Sequence, residues 1–198
     1  MVDEPPKKAE SQKQGGRNMG LLFELNKNCV GWICIPNTKI NYPVMYTPDN
    51  PQQYLRQDFY DKYSQSGTPF IDGRCRLGGD NIIIYGHNMN YGTMFADLKK
   101  YAESGYGKVN RIVEFQTSSG KDMYTIIAVV TTNTSDEWYN FLTADTDEEF
   151  NEYVAGVRQR SLYELQMPDK YERQLITMST CYGLDQNGRL FVIAVKNV

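Results

Sequence analysis

Three side chains that could act together in acyl transfer lie beside strand-like segments of the sequence. Cys181 follows one apolar run, and Arg189 begins the next run along the chain. The single histidine, His87, comes just after a third run, residues 81–85. Short apolar runs bounded by Gly, Asn and Asp are typical of buried strands. The sequence therefore predicts a thiol, an imidazole and a guanidinium at strand ends, where each can reach a substrate.

These residue types fit nucleophilic attack on a carbonyl carbon. A cysteine thiolate forms a thioester when a neighbouring base or a lowered pKa activates it. His87 could supply that base, or protonate a leaving amine. Arg189 could stabilise the tetrahedral intermediate with a permanent charge in a fixed geometry. From spacing alone, Cys181 could equally be an inert thiol and the other two ordinary polar residues, because the sequence does not show that they converge.

The composition excludes several classes of protein. At 198 residues the chain suits one domain with its own core, and a formal net charge of −3 gives no basic face for nucleic acid. No apolar run reaches the roughly 18 residues of a membrane span. Four cysteines without C-x-x-C spacing and a single histidine argue against a zinc site, so we expect neither metal nor cofactor. The sequence does not decide whether Cys29 and Cys34 form a disulfide.

The chain divides into a polar tail and one folded domain. Residues 1–19 are rich in Pro, Lys, Glu, Gln and Gly, which predicts a flexible tail or linker before a domain of residues 20–198. The tail lacks the apolar core of a signal peptide. Two alternatives remain: an intracellular protein, or a chain separated from its targeting segment.

Hydrophobic patterning predicts seven or eight short strands and few helices. Apart from the two runs around Cys181, the predicted strands are residues 30–35, 40–46, 68–72, 81–85, 111–116 and 123–131. The predicted helices lie near residues 21–25, within 48–61, at 93–101 and at 146–165. The last is the one long helix, and Thr146 with Glu149 forms a capping-box pattern at its start. Without βαβ alternation, we predict a mainly β barrel with helices added on its outside.

The residues around the three candidates resemble the motifs of the sortase family. Residues 177–181, Thr-Met-Ser-Thr-Cys, resemble the TLxTC signature with Met in place of Leu, and Arg189 lies eight positions on, as the sortase arginine does. Residues 85–89, Tyr-Gly-His-Asn-Met, resemble the histidine motif of class B sortases. The resemblance covers about residues 20–197. The long helix before the final two strands favours class B over class A.

The resemblance implies a cysteine transpeptidase, both peptidase and acyltransferase, with a closed barrel of about eight strands. Cys181 would attack an LPxTG-like sorting signal of a secreted surface protein and hold the protein as a thioester. An amine of a peptidoglycan precursor or of a pilin would then resolve that thioester. His87 would be the general acid and base, and Arg189 would stabilise the oxyanion and the substrate. The candidate substrate-binding residues are Ser179, Thr180, Tyr182, whose backbone N–H is a further oxyanion donor, and Asn88.

The resemblance also implies a place of action, the outer face of a Gram-positive cell membrane. Class B sortases carry an N-terminal membrane anchor, which we expect to lie outside this chain. The sorting motif, the acceptor amine and the choice among housekeeping, pilus and haem-protein roles stay open.

Two alternative functions remain. One is a sortase-like binding or scaffold module without catalysis, which the intact Cys181, His87 and Arg189 argue against. The other is a purely hydrolytic cysteine protease. Papain-like enzymes place cysteine before histidine, opposite to the order here, and the caspase signature is missing. Ligation that depends on an amine distinguishes a sortase from a protease.

Overall fold

Eight strands, all within the described residues 18–198 of a computed structural model, form the frame of the molecule. They are β1 (Cys29–Cys34), β2 (Asn41–Met45), β3 (Phe70–Ile71), β4 (Asn81–Tyr85), β5 (Ile112–Thr117), β6 (Gly120–Asn133), β7 (Tyr171–Cys181) and β8 (Gly188–Asn197). They close into a barrel in the order β1-β2-β3-β4-β7-β8-β6-β5. The predicted mainly β fold with a closed barrel is therefore confirmed. Of the predicted tail, residues 1–17 lie outside the described part of the chain.

β4 and β7 are the pair that positions the site. Four of the five residues of β4 are buried, and so is the run of β7 that ends at residue 180. Strands covered on both faces lack the alternation of buried and exposed residues that half-buried strands show. The two strands are parallel, with register from Asn81 opposite Leu175 to Tyr85 opposite Ser179. Because parallel strands end at the same edge, the segment that follows Tyr85 lies beside the last residues of β7, and the Gly86 N–H donates to the carbonyl of Ser179 at 3.1 Å.

β8 brings the arginine to that edge. It lies between β7 and β6 and is antiparallel to both. Its register places Arg189 opposite Cys181 on one side and opposite Thr132 on the other. The next six residues, 190–195, are all buried and anchor the strand in the core. An arginine at the start of such a strand has a fixed backbone position.

The α-helices among residues 18–198 are α1 (Met19–Leu25), α2 (Ser104–Val109) and α3 (Asp147–Gln159). α3 begins where the capping box predicts, since the Thr146 hydroxyl accepts the N–H of Glu149 at 3.1 Å. Its buried residues join the barrel core; they are Phe150, Val154 and Val157. Among residues 18–198, no helix combines the length and apolar character needed to cross a bilayer.

α3 ends at Gln159, earlier than the predicted end at residue 165. The following residues bond to the barrel instead of continuing the helix. The Ser161 hydroxyl accepts the N–H of Val129 at 3.0 Å, and the N–H of Leu162 donates to the carbonyl of Val129 at 2.8 Å. Tertiary hydrogen bonds to β6 therefore override the apolar periodicity at this end.

Three other predicted elements are shorter or different in type. Residues 48–61 hold only a 3₁₀ turn at Gln53–Leu55, and the predicted helix at 93–101 is a 3₁₀ helix, Ala96–Ala102. The predicted strand at 68–72 is reduced to β3. α2 was not predicted, because two glycines interrupt its sequence.

Candidate active site

The three candidates line one cleft of about 890 Å³. Cys181 is the last residue of β7 and is exposed, so its thiol is accessible. His87 lies two residues beyond the end of β4, and Arg189 is the second residue of β8. The parallel β4–β7 pairing and the antiparallel β7–β8 pairing together place all three at one edge of the barrel.

His87 is held by contacts on both its ring and its backbone. Its Nε2 lies 3.0 Å from the carbonyl oxygen of Leu55. A carbonyl oxygen only accepts, so Nε2 is the donor and Nδ1 of the neutral ring is the nitrogen that can take up a proton. The His87 carbonyl accepts the N–H of Phe95 at 2.9 Å. A Cβ added at Gly86 would lie 2.5 Å from the Phe95 ring, so only glycine fits before the histidine.

Two side chains tie the histidine segment to the cysteine strand. Asn88 donates from Nδ2 to the carbonyl of Cys181 at 3.0 Å. Thr180, which is buried, donates from its hydroxyl to the carbonyl of Gly86 at 2.7 Å. Both were predicted to contact substrate. In this structure their polar groups hold the segment that carries His87 against the end of β7.

Ser179, two residues before Cys181, is buried and meets Tyr139, which the sequence analysis did not single out. The Oγ of Ser179 lies 2.8 Å from the Oη of Tyr139. Burial raises the pKa of Tyr139, against the opposing effects of its Ser179 hydrogen bond and the nearby charge of Arg189. The phenol therefore stays neutral and keeps its proton for hydrogen bonding.

Arg189 is oriented by the turn between β7 and β8. Its Nη1 donates to the carbonyls of Gln186 at 2.9 Å and Gly188 at 2.8 Å. Within residues 18–198 it makes no other hydrogen bond, so its remaining N–H donors are open to a ligand. The Tyr182 N–H donates to the carbonyl of Gly188 at 3.0 Å. It can serve an oxyanion only if this turn moves.

The wall of the cleft around β3 and β4 carries a polar cluster that the sequence analysis did not single out. Tyr85 donates to Asp72 at 2.8 Å, and Arg74 forms a two-pronged ion pair with the same carboxylate at 3.0 and 2.8 Å. Burial alone would raise the pKa of Asp72, but hydrogen bonds from Arg74 and Tyr85 hold it below its ordinary value. The only signal in the sequence is a pair of opposite charges two residues apart.

No set of three or more His, Cys, Asp or Glu side chains gathers as metal ligands in residues 18–198. Cys29 carries a free thiol and is buried, so it forms no disulfide with Cys34. The chemistry that the described site can perform is that of an accessible thiol with an imidazole and a guanidinium beside it.

Comparisons with known proteins point to one family. A family model described as the sortase domain matches residues 33–197. The chain is 33% identical to sortase B of Listeria monocytogenes over 162 residues, which cover 81% of this chain and 65% of that protein. It is 29% identical to sortase B of Staphylococcus aureus over 164 residues, which cover 81% of this chain and 66% of the relative. The chain thus spans just under two thirds of the length of these curated relatives.

Solved structures agree in fold. A Staphylococcus aureus sortase B–substrate complex superposes with a TM-score of 0.81 at 27% identity, covering 90% of this chain and 83% of that one. Sortase B of Clostridium perfringens gives a TM-score of 0.82 at 27% identity, covering 90% of this chain and 99% of that one.

Proposed function

The chain belongs to the sortase family as a class B sortase, and from that premise we propose that it is a cysteine transpeptidase for a sorting-signal peptide. One observation carries the proposal: Cys181, His87 and Arg189 line a single cleft at one edge of the barrel. The exposed thiol supplies a nucleophile, which a scaffold module would not need. The order of the three residues and the barrel also separate the chain from papain-like proteases.

In the first half of the reaction, the thiol of Cys181 passes its proton to His87, and the resulting Sγ thiolate attacks the carbonyl carbon of the peptide bond. The free donors of Arg189 stabilise the negative oxygen of the tetrahedral intermediate. His87 protonates the leaving amine, the C–N bond breaks, and the acyl half stays on Cys181 as a thioester.

In the second half, an amine enters the position that the leaving group has vacated. His87 removes its proton as the amine attacks the thioester carbonyl, and Arg189 again stabilises the oxyanion. Collapse of this intermediate forms a new amide bond and returns the electron pair to the sulfur of Cys181. Water in place of the amine would give hydrolysis, so the amine must outcompete water.

Membership of the sortase family supports a proposal for the substrate and partners. An LPxTG-like sorting signal of a secreted surface protein would fill the cleft, and a peptidoglycan precursor or a pilin would supply the amine. Sortase B of Staphylococcus aureus has been solved in complex with a substrate, which supports substrate binding by this fold. The place of action would be the outer face of a Gram-positive cell membrane.

Product analysis with a peptide panel tests this function. The protein is incubated with LPxTG-, NPxTN- and PPxTG-like peptides, with and without a glycine-based amine, and the Cys181→Ala variant serves as control. We expect ligated product only when amine is present and none from the variant. Hydrolysis that saturating amine does not divert would identify a cysteine protease. No turnover of any peptide, together with a Cys181 thiol that resists alkylation, would identify a scaffold module.

A further inference from the structure

Arg74 spans the two walls of the cleft. On one wall its Nε and Nη2 bind the carboxylate of Asp72. On the other, Nη2 donates to the carbonyl of Tyr139 at 3.0 Å, and Nη1 reaches the Oδ1 of Asn140 at 3.4 Å. Although it makes all these contacts, the side chain is 52% exposed, and the residue lines the cleft. An ion pair with Asp72 alone would not require the further contacts that Arg74 makes with Tyr139 and Asn140.

The guanidinium keeps a donor for a ligand. Its Nε and Nη2 are occupied by short contacts with Asp72 and Tyr139, whereas Nη1 has only the long contact with Asn140. A guanidinium is a planar fork that is always charged, so a bidentate partner fixes the direction of its remaining N–H groups. Asp72 is 8% exposed and held by Tyr85 as well. Nη1 is therefore a donor whose position is set before any ligand arrives.

Two of the contacts of Arg74 connect it to β4 and β7, the strands that lead to His87 and Cys181. Through Asp72 it meets Tyr85, which lies two residues before His87 on the same segment. Through Nη2 it donates to the carbonyl of Tyr139, whose phenol forms a hydrogen bond with Ser179 on β7. Arg74 thus belongs to the same cleft as the thiol and is not a separate surface feature.

The order of the two reaction steps indicates which half of the peptide lies beside Arg74. The acyl half stays attached to Cys181 through both steps, whereas the amine half must leave and make room for the acceptor. A donor whose position is preset suits the half that remains. Since Asp72 offsets the charge of Arg74, a neutral oxygen is a better ligand than a carboxylate, which would meet Asp72 across the pair.

Resting on the proposed function, we propose that Arg74 is a substrate-binding residue: its Nη1 donates a hydrogen bond to a neutral amide oxygen of the acyl half of the peptide. That oxygen belongs either to the main chain or to an Asn or Gln side chain upstream of the cleaved bond. The contact is made before the chemistry and persists through it, so it lowers the dissociation constant and KM rather than raising kcat.

The test measures peptide binding in the Cys181→Ala background, where no turnover interferes. Arg74→Gln and Arg74→Lys are compared with Arg76→Gln and Arg76→Lys, the matched controls, because Arg76 is exposed and does not line the cleft. We expect Arg74→Gln to raise the Kd of a labelled substrate peptide about tenfold, as for loss of a hydrogen bond to a charged group. Arg74→Lys loses the fork geometry and weakens binding by a smaller factor; both Arg76 variants bind as the parent does.

A second set of peptides identifies the oxygen. Each residue upstream of the cleaved bond is replaced in turn by Leu and by Asn. If Arg74→Gln no longer raises the Kd of one of the Leu-substituted peptides, the ligand is the side-chain amide that this peptide has lost. If Arg74→Gln raises the Kd of every peptide, the ligand is a main-chain carbonyl. Either result supports the inference.

Folding and catalysis are checked separately. Removing Arg74 leaves Asp72 buried without its ion pair, so Asp72→Asn with Arg74→Gln is included as a neutral pair, and thermal unfolding is recorded for every variant. In the background that retains Cys181, the rate at which iodoacetamide alkylates this thiol should not change. Equal Kd values for the Arg74 and Arg76 variants, or a slower alkylation with unchanged Kd, would overturn the inference. Ligation by the unmodified protein reports independently on the proposed function.

Discussion

Two cysteines of this chain show how position decides what a thiol can do. Cys181 ends β7, is exposed, and has its carbonyl rather than its sulfur engaged by Asn88. Cys75 lies in the turn between β3 and β4, is 2% exposed, and its sulfur accepts the N–H of Ile83 at 3.4 Å. Burial raises the pKa of Cys75 to about 11. The same side chain is thus a candidate nucleophile at one place and a core residue at the other.

The polar contacts around Cys181 and around Cys75 also differ. Around Cys181, the polar contacts run between backbone groups and neighbouring side chains and leave the thiol open to the cleft. In the turn around Cys75, the polar groups are paired with each other: the Cys75 N–H donates to the carbonyl of Asp72 at 2.9 Å, and Tyr46 donates to the carbonyl of Cys75. The edge of the barrel at Cys181 keeps N–H donors of Arg189 that have no partner among residues 18–198, whereas the backbone groups of Cys75 are both hydrogen-bonded.

The largest expected difference is in turnover. Cys181→Ala should abolish both cleavage and ligation, because no other accessible thiol in residues 18–198 lines the cleft. Cys75→Ala should retain turnover but lose about 1 kcal/mol of unfolding free energy, since the Ile83 N–H loses its acceptor. Steady-state assays and urea unfolding of both variants check this. Turnover by Cys181→Ala would reject the nucleophile assignment.

The guanidinium geometry gives the next largest effect. Arg189→Lys keeps the positive charge but loses the planar fork, so we expect kcat/KM to fall by roughly 10²–10³, as for loss of an oxyanion donor. Arg76→Lys is the matched control and should not change kcat/KM. A near-normal rate for Arg189→Lys would show that the oxyanion is stabilised elsewhere.

The two thiols should also differ in native-state labelling. At pH 8, a pKa of about 11 leaves about one Cys75 side chain in a thousand as thiolate. Iodoacetamide should therefore modify Cys181 in the folded protein and reach Cys75 only after unfolding. Peptide mapping after a time course in native buffer and in urea measures both rates. Labelling of Cys75 at the rate of Cys181 would contradict the described burial.

The smallest effect is a change of stability with pH from the cluster beside Cys75. The folded pKa of Asp72 lies below its unfolded value near 3.8, so its carboxylate stabilises the fold above that pH and loses this contribution as the pH falls through the folded pKa. Urea unfolding between pH 3 and 7 should show a steeper loss for the parent than for Asp72→Asn. Parallel curves for the two proteins would exclude Asp72 as a contributor.

The strands of the site could be predicted from local sequence because their signals are local. β4 matches its apolar run residue for residue, and Arg189 lies opposite Cys181 because a short turn joins two consecutive strands. The start of α3 follows from the Thr146 cap. Each of these depends on residues close together in the chain.

What the sequence could not show depends on residues far apart. The parallel pairing that sets Tyr85 beside Ser179 joins segments more than ninety residues apart in the chain, and no period in the sequence indicates it. The hydrogen bond between Tyr139 and Ser179 and the one from Arg74 to the carbonyl of Tyr139 also join residues that are far apart in the chain. These contacts help to form the cleft, which is why the sequence could indicate the candidate residues Cys181, His87 and Arg189 but not the surroundings that the fold gives them.

The most direct test of the proposed mechanism is the mass of the protein after brief exposure to a cleavable sorting-signal peptide. We expect an adduct with the mass of the acyl half, mapped to Cys181 and absent from Cys75, that a glycine-based amine releases faster than water does. The Cys181→Ala variant should carry no adduct. An adduct on another residue, or one on Cys181 that amine does not release, would contradict the proposed transpeptidase mechanism.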